Sequence, residues 1–150
     1  MRTFDGLDQL GAAVGEQLGQ SDWHEITQEQ VNLFAEATGD HQWIHVDPER
    51  AKDGPFGQTI AHGYLTLSLL PVLVAEIYRV EGVAMGLNYG TNKVRFPAPV
   101  PVGSKVRALA QLVELTPSAI GTQAVVRVTI EIEGGGKPAC VADVAWVYVQ

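Results

Sequence analysis

The chain has 150 residues, enough for one domain whose hydrophobic core needs no disulfide or metal to stabilise it. Its formal net charge of -7 argues against a general nucleic-acid surface, because such surfaces neutralise phosphates with lysine and arginine. Cys140 is the only cysteine and no secretory leader is evident, so we expect a single domain, residues 1–150, in the reducing cytoplasm.

The first elements in chain order are short, and a helix follows them. Residues 1–19 indicate only a short helix or strand at the edge of the domain, and residues 23–26 indicate a strand. A helix is predicted after Thr27, whose hydroxyl can cap the first free amides, and it is predicted to end at Gly39. Val31, Phe34 and Ala37 give this helix an apolar stripe.

A long irregular connection is predicted from Gly39 to about Ile60. Connections longer than about 15 residues without regular structure tend to be functional. Pro48 argues against a regular helix within it. The connection gathers several polar side chains in a chain with four histidines: Asp40, His41, Gln42, His45 and Asp47.

The apolar stretch from Tyr64 to Ile77 predicts a buried core helix with a bend at Pro71. It is shorter than the about 20 residues that span a bilayer, so we expect no membrane insertion.

The second half of the chain predicts four consecutive antiparallel strands, because β-branched and apolar residues alternate with polar ones between turn-rich links. They cover Met85 to Phe96, Ser104 to Leu115, Gly121 to Glu133 and Ala139 to Val149. A long helix ahead of four strands predicts an α+β domain in which a curled sheet wraps the helix. The exposed edges of such a sheet favour dimerisation.

Asp40 and His45 are the first candidate pair for chemistry. An aspartate and a neutral imidazole can take a proton from water and return one to a substrate. Their spacing of five residues matches neither a helix face nor a strand face, so the sequence does not show whether they converge. Composition alone favours ordinary turn residues at these positions, and a metal site of Asp40, His41, His45 and Asp47 is a further alternative.

The second candidate is Gly63, at the start of the apolar helix. The first amides of a helix have no internal partner, so the Gly63 amide can polarise a thioester carbonyl. Alternatively, Gly63 only lets the helix start close to a neighbouring backbone. We interpret the adjacent His62 as a structural hydrogen bonder.

Four basic residues fall within one predicted hairpin: Lys93, Arg95, Lys105 and Arg107. Residues two apart on a strand share a face, so these side chains predict a small basic patch. Such a patch on an acidic protein suggests a local phosphate site, although a solvated strand face explains it as well.

Several of these stretches together resemble a known family. They are Gly39-Asp40-His41-Gln42-Trp43-Ile44-His45-Val46-Asp47, Ala61-His62-Gly63, Asn88-Tyr89-Gly90 and Val94-Arg95-Phe96-Pro97-Ala98-Pro99-Val100. Their order and spacing resemble the MaoC-like (R)-specific enoyl-CoA hydratases, also called hydratase 2. The resemblance covers most of the chain from about Trp23 to the C-terminus.

The resemblance implies a hot dog fold, usually dimeric, and the reversible hydration of trans-2-enoyl-CoA to (R)-3-hydroxyacyl-CoA without metal or other cofactor. It makes Asp40 and His45 the catalytic dyad and the Gly63 amide the donor to the thioester carbonyl. Gln42 and Arg95 join the candidate substrate-binding residues. This chain departs from the family at Gln42 and Trp43, where the usual motif has asparagine and proline.

Two other functions fit the same pattern. One is an acyl-CoA thioesterase, because one fold can host different thioester chemistry. The other is a non-catalytic acyl-CoA binding subunit.

Overall fold

A six-stranded antiparallel sheet dominates the computed structural model, which describes all 150 residues. The strands are β1 (Arg2–Phe4), β2 (Gln17–Gln20), β3 (His24–Glu25), β4 (Tyr78–Val80), β5 (Met85–Arg95), β6 (Lys105–Ser118), β7 (Gly121–Ile132) and β8 (Cys140–Val149). The helices are α1 (Gly6–Ala12), α2 (Gln28–Thr38), α3 (Trp43–Val46), α4 (Pro48–Ala51), α5 (Gly63–Ser68) and α6 (Leu70–Ala75). The predicted α+β class is confirmed.

The spatial order of the main strands is β2-β6-β7-β8-β5, with β3 also paired to β6. The four predicted long strands are therefore present, but β5 pairs with β8 and not with β6. The prediction of a hairpin that joins Lys93 and Arg95 to Lys105 and Arg107 is wrong. The link between β5 and β6 runs from the β5 edge of the sheet past β8 and β7. The alternation of apolar and polar residues along a strand does not reveal which strands are neighbours.

The inner face of the sheet packs against α5 and α6. Ala108 and Ala110 on β6 and Ala142 on β8 are fully buried, and their small side chains let the helices approach closely. Larger side chains such as Leu70 and Leu73 fill the space between the layers. The predicted bend at Pro71 is confirmed as a break between α5 and α6, because proline lies in the first turn of the second helix.

The short elements around this core follow their local sequence signals. The Thr27 hydroxyl accepts from the Gln30 amide at the start of α2, and Gly39 ends α2 with a φ of 83°. Both predicted caps are confirmed. Strand β1 pairs in parallel with β4, beside α1.

The connection after Gly39 is more regular than predicted. It contains the two one-turn helices α3 and α4, and His45 lies on the first of them. Pro48 does not prevent these helices, because α3 ends before it and proline is tolerated in the first turn of α4. No helix of the chain is long and apolar enough to cross a membrane.

Candidate active site

Asp40, His45 and His62 come together beside the core. One carboxylate oxygen of Asp40 and one ring nitrogen from each histidine lie within 4.8 Å of one another. Both histidines are buried, whereas Asp40 is exposed to solvent. The predicted pairing of Asp40 with His45 therefore exists in space, and it includes a third residue.

His45 is held in place from both its backbone and its ring. Its Nδ1 lies 2.7 Å from the carbonyl oxygen of Ile60, and the Ile60 amide donates to the Ile44 carbonyl at 3.0 Å. The Gln28 side chain on α2 donates to the His45 carbonyl at 2.8 Å. A carbonyl only accepts, so the proton of a neutral His45 belongs on Nδ1 and the lone pair on Nε2.

Asp40 is positioned by the turn that follows α2. Its carboxylate accepts from the Gln42 amide at 3.3 Å. Its carbonyl oxygen lies 2.9 Å from Nε2 of His62. One carboxylate oxygen lies 4.0 Å from the same nitrogen, and the side chain is 52% exposed. The carboxylate is thus both oriented and open to solvent.

His62 is the residue that the sequence analysis placed outside the site. Its ring stacks on the His45 ring, with centroids 3.9 Å apart and an interplanar angle of 23°. Phe34 packs against its other side at 4.9 Å between centroids. The available signal was the His-Gly pair at a helix start, but only the fold shows that this pair returns to the Asp40 turn.

A cavity of about 320 Å³ opens beside these groups, and His45 and Gly63 both line it. The Gly63 amide begins α5 and finds no acceptor within the chain, so it is free to bind a carbonyl oxygen. Phe96 forms another wall, and a Cβ on Gly63 would lie 3.2 Å from its ring. The remaining lining is largely apolar, as an acyl group requires.

The surroundings of His45 favour its neutral form. Burial is the largest influence and lowers the pKa of His45 below its ordinary value of 6.5, and the nearby His62 also lowers it. The Ile60 carbonyl and Asp40 raise the pKa, but less strongly than burial lowers it. A neutral imidazole with a free Nε2 suits a general base near neutral pH.

The metal alternative fits these donors poorly. An imidazole binds a metal in its ring plane at about 2.1 Å. The nearly parallel rings of His45 and His62, 3.9 Å apart, direct their lone pairs side by side and not to one point. The other proposed ligands are elsewhere: His41 lies 3.6 Å from Glu36, and Asp47 caps α4.

Asp40 does not itself line the cavity, and neither do the two remaining predicted site residues, Gln42 and Arg95. The Gln42 side chain is exposed and makes no hydrogen bond within the chain, although its backbone amide supports Asp40. Arg95 lines a separate groove of about 460 Å³ with Lys93 and Arg127. Asp143 is bound by Arg127, which leaves Lys93 and Arg95 without a direct carboxylate partner.

The predicted four-residue basic patch is not formed. Lys105 and Arg107 lie on β6, which β7 and β8 separate from Lys93 and Arg95 on β5. Arg107 instead pairs with Glu131 at 2.9 Å and covers the Trp23 ring.

Trp43, one of the departures from the usual motif, is not among the residues that line the cavity. The Arg50 guanidinium lies 4.3 Å from its ring centroid. A Cβ on Gly54 would lie 2.9 Å from the same ring, so a small residue is needed there. Trp43 therefore fixes α3 against α4, where proline would have fixed the backbone.

Comparisons with known proteins agree with this arrangement. A family model described as MaoC like domain matches residues 9–134. The 3-hydroxyacyl-thioester dehydratase Z of Mycobacterium tuberculosis is 63% identical over 150 residues, which cover 99% of each chain. Nodulation protein N of Rhizobium leguminosarum is 43% identical over 146 residues, which cover 95% of this chain and 89% of that protein.

Among solved structures, the (R)-hydratase from A. caviae involved in PHA biosynthesis superposes with a TM-score of 0.73 at 25% identity. The match covers 89% of this chain and 95% of that one. The expected hot dog fold is confirmed.

Proposed function

Because the chain belongs to the MaoC-like domain family, and is accordingly a hydro-lyase, we propose that it reversibly adds water to trans-2-enoyl-CoA to give (R)-3-hydroxyacyl-CoA. Two named relatives support this assignment, the 3-hydroxyacyl-thioester dehydratase at 63% identity and the (R)-hydratase at 25% identity. In the reverse direction the same reaction dehydrates a 3-hydroxyacyl thioester.

The observation that most supports the proposed hydration is the hydrogen bond that fixes the tautomer of His45. With Nδ1 donating to the Ile60 carbonyl, Nε2 is left to accept a proton from water at the cavity. The hydroxide then attacks carbon 3 of the enoyl group while carbon 2 receives a proton. Asp40, whose carboxylate lies within 4.8 Å of a ring nitrogen of His45, orients the water or helps to deliver that proton.

Gly63 supplies a hydrogen-bond donor to the thioester oxygen of the substrate. Addition to carbon 3 moves negative charge onto the thioester oxygen, and a fixed backbone donor stabilises that charge. The Gly63 amide faces the same cavity as His45 and has no competing acceptor.

We assign the carrier end of the substrate to the groove that Lys93 and Arg95 line. Phe96 lines the cavity, and the preceding Arg95 lies in the groove with Lys93. We assign the phosphates of CoA, or the phosphate of an acyl carrier protein, to these two cations. We assign the Gln42 side chain to support of the water or of the loop that carries the dyad.

We also propose that residues 1–150 form a single domain and that the protein is cytoplasmic. Its one cysteine is a buried free thiol, which fits a reducing compartment.

A hydration assay with crotonyl-CoA tests the proposed function against its enzymatic rival. Loss of the conjugated-enoyl absorbance without release of free thiol indicates hydration. Release of free thiol indicates a thioesterase and would overturn the proposal. Binding of crotonyl-CoA without either change would indicate the third possibility, a non-catalytic acyl-CoA binding subunit.

Gly63→Ala should lower kcat/KM roughly tenfold, because the added methyl displaces the Phe96 ring and shifts the bound thioester. Steady-state kinetics with crotonyl-CoA measure the effect. Gly136→Ala is the matched control, since a Cβ there meets nothing within 4 Å. Equal kinetics for Gly63→Ala and the wild type would argue against the placement of the thioester at this amide.

The acid limb of kcat/KM should lie below pH 6.5. Burial lowers the pKa of His45 from 6.5, so the residue stays unprotonated, and active as a base, as the pH falls past that value. A pH series of kcat/KM on enzyme that remains folded measures this limb. A midpoint at or above pH 6.5 would contradict the role of a buried His45 as the base.

We assign a homodimer to the chain on the basis of its exposed apolar surface. Strand β5 is an edge strand exposed along nearly its whole length, and the neighbouring helix face is also exposed. This surface includes Tyr64 at 71%, Tyr89 at 66% and Val72 at 56% exposure. Such patches on a soluble protein commonly mark an interface.

Tyr89→Lys should therefore shift the mass in solution from dimer towards monomer, because burying an ammonium in an apolar interface is costly. Sedimentation equilibrium measures the mass. Ile120→Lys, a change at a similarly exposed apolar position in the β6–β7 turn, serves as the control. A wild-type chain that sediments as a monomer would rule out the homodimer.

A further inference from the structure

His62 is an almost fully buried histidine in contact with the proposed dyad. It is only 2% exposed, and it contacts both members of the proposed dyad. Its ring lies flat on His45, and its Nε2 lies 2.9 Å from the Asp40 carbonyl oxygen.

The partners of His62 select one tautomer. The Asp40 carbonyl accepts only, so Nε2 carries the proton. Nδ1 then has a bare lone pair, which is buried and has no hydrogen-bond partner. The other tautomer would bury an unpaired N–H and leave two lone pairs facing each other, so the observed contacts exclude it.

We propose that His62 is the positioning residue of the site, with its Nε2–H holding the Asp40 turn and its ring holding the plane of His45. This inference rests on the proposed hydration, because it assigns to His62 a role in that reaction. His62 itself does not line the cavity, so it acts through the dyad and not on the substrate.

The contacts predict separable effects for two substitutions. His62→Gln keeps a donor near the position of Nε2 but removes the flat ring. His62→Phe keeps a ring against His45 but removes the donor to Asp40. We expect each change to lower kcat by about tenfold to hundredfold with KM changed little, since the substrate contacts remain while the reacting groups shift.

The titration of His45 provides a readout that loss of stability alone would not move. Burial is the largest cause of the lowered pKa of His45, and the stacked His62 ring covers one face of the imidazole, so loss of that ring in His62→Gln should move the His45 titration and the acid limb of kcat/KM to higher pH. The groups involved are few. Asp40 is the nearby carboxylate, and Phe34 on α2 and Thr66 on α5 carry no charge.

The experiment combines steady-state kinetics with NMR of the histidine side chains on the full chain. His41→Gln is the matched control: it changes an exposed histidine of the same loop and should preserve kcat and the His45 titration. Thermal unfolding checks that the variants remain folded. Wild-type 15N shifts should show His62 protonated at Nε2, a result that needs no variant.

Two outcomes would overturn the inference. One is wild-type His62 protonated at Nδ1, and the other is a folded His62→Gln with unchanged kcat and an unchanged His45 titration. A wild-type chain that hydrates no enoyl thioester would instead reject the proposed function, and the NMR results would still decide whether His62 holds the two residues.

Discussion

His45→Asn should lower kcat for crotonyl-CoA hydration by about 10²- to 10⁴-fold, the usual contribution of a general base. Asparagine can place its side-chain N–H near the position of Nδ1 and so keep the hydrogen bond to the Ile60 carbonyl. It has no equivalent of Nε2. The variant therefore removes the base while it preserves the contact that positions the loop.

His45→Ala serves as the comparison for this result. It should lose a similar fraction of activity and more stability, because the buried Ile60 carbonyl loses its partner. Steady-state kinetics and thermal unfolding separate the two effects. Activity within a few-fold of the wild type in His45→Asn would show that another group takes the proton from water.

Asp40→Asn should lower kcat by about 10²-fold or more with little change in stability. The side chain is 52% exposed, and an amide oxygen can still accept from the Gln42 amide. What the variant loses is the negative charge and the ability to accept a proton. Stopped-assay kinetics and the unfolding midpoint measure the two expectations.

Asp47→Asn is the matched control for Asp40→Asn. It changes another carboxylate of the same loop, and asparagine can still cap α4, so activity should be preserved. The double variant Asp40→Asn/His45→Asn should lose much less than the product of the two single effects, because residues that act as a unit are not additive. Fully multiplicative losses would indicate independent roles.

Much of the fold could be predicted because its signals are local. Alternation located the four long strands, and the Thr27 and Gly39 caps bounded α2. The order of the strands could not be predicted, because alternation reports the faces of a strand but not its neighbours. For that reason the basic residues of β5 and β6 were wrongly joined in one patch.

The candidate site, like the fold, could be predicted only in part from the sequence. The sequence supplied Asp40, His45 and Gly63 as candidates, and the structure brings His45 and Gly63 to one cavity and the Asp40 carboxylate close to His45. His62 was interpreted from the sequence only as a structural hydrogen bonder, and its partner could not be predicted, because the contact joins residues 22 positions apart in the chain. Only the return of the α5 start to the Asp40 turn creates that contact.

The proposed (R)-specific hydration is tested most directly by the stereochemistry of the product formed from crotonyl-CoA. Wild-type enzyme is incubated with crotonyl-CoA, and dehydrogenases selective for each 3-hydroxyacyl-CoA enantiomer report the product. We expect the wild-type enzyme to form (R)-3-hydroxybutyryl-CoA without release of CoA, and His45→Asn to lose this product. The (S) enantiomer, free CoA, or undiminished product from His45→Asn would contradict this expectation.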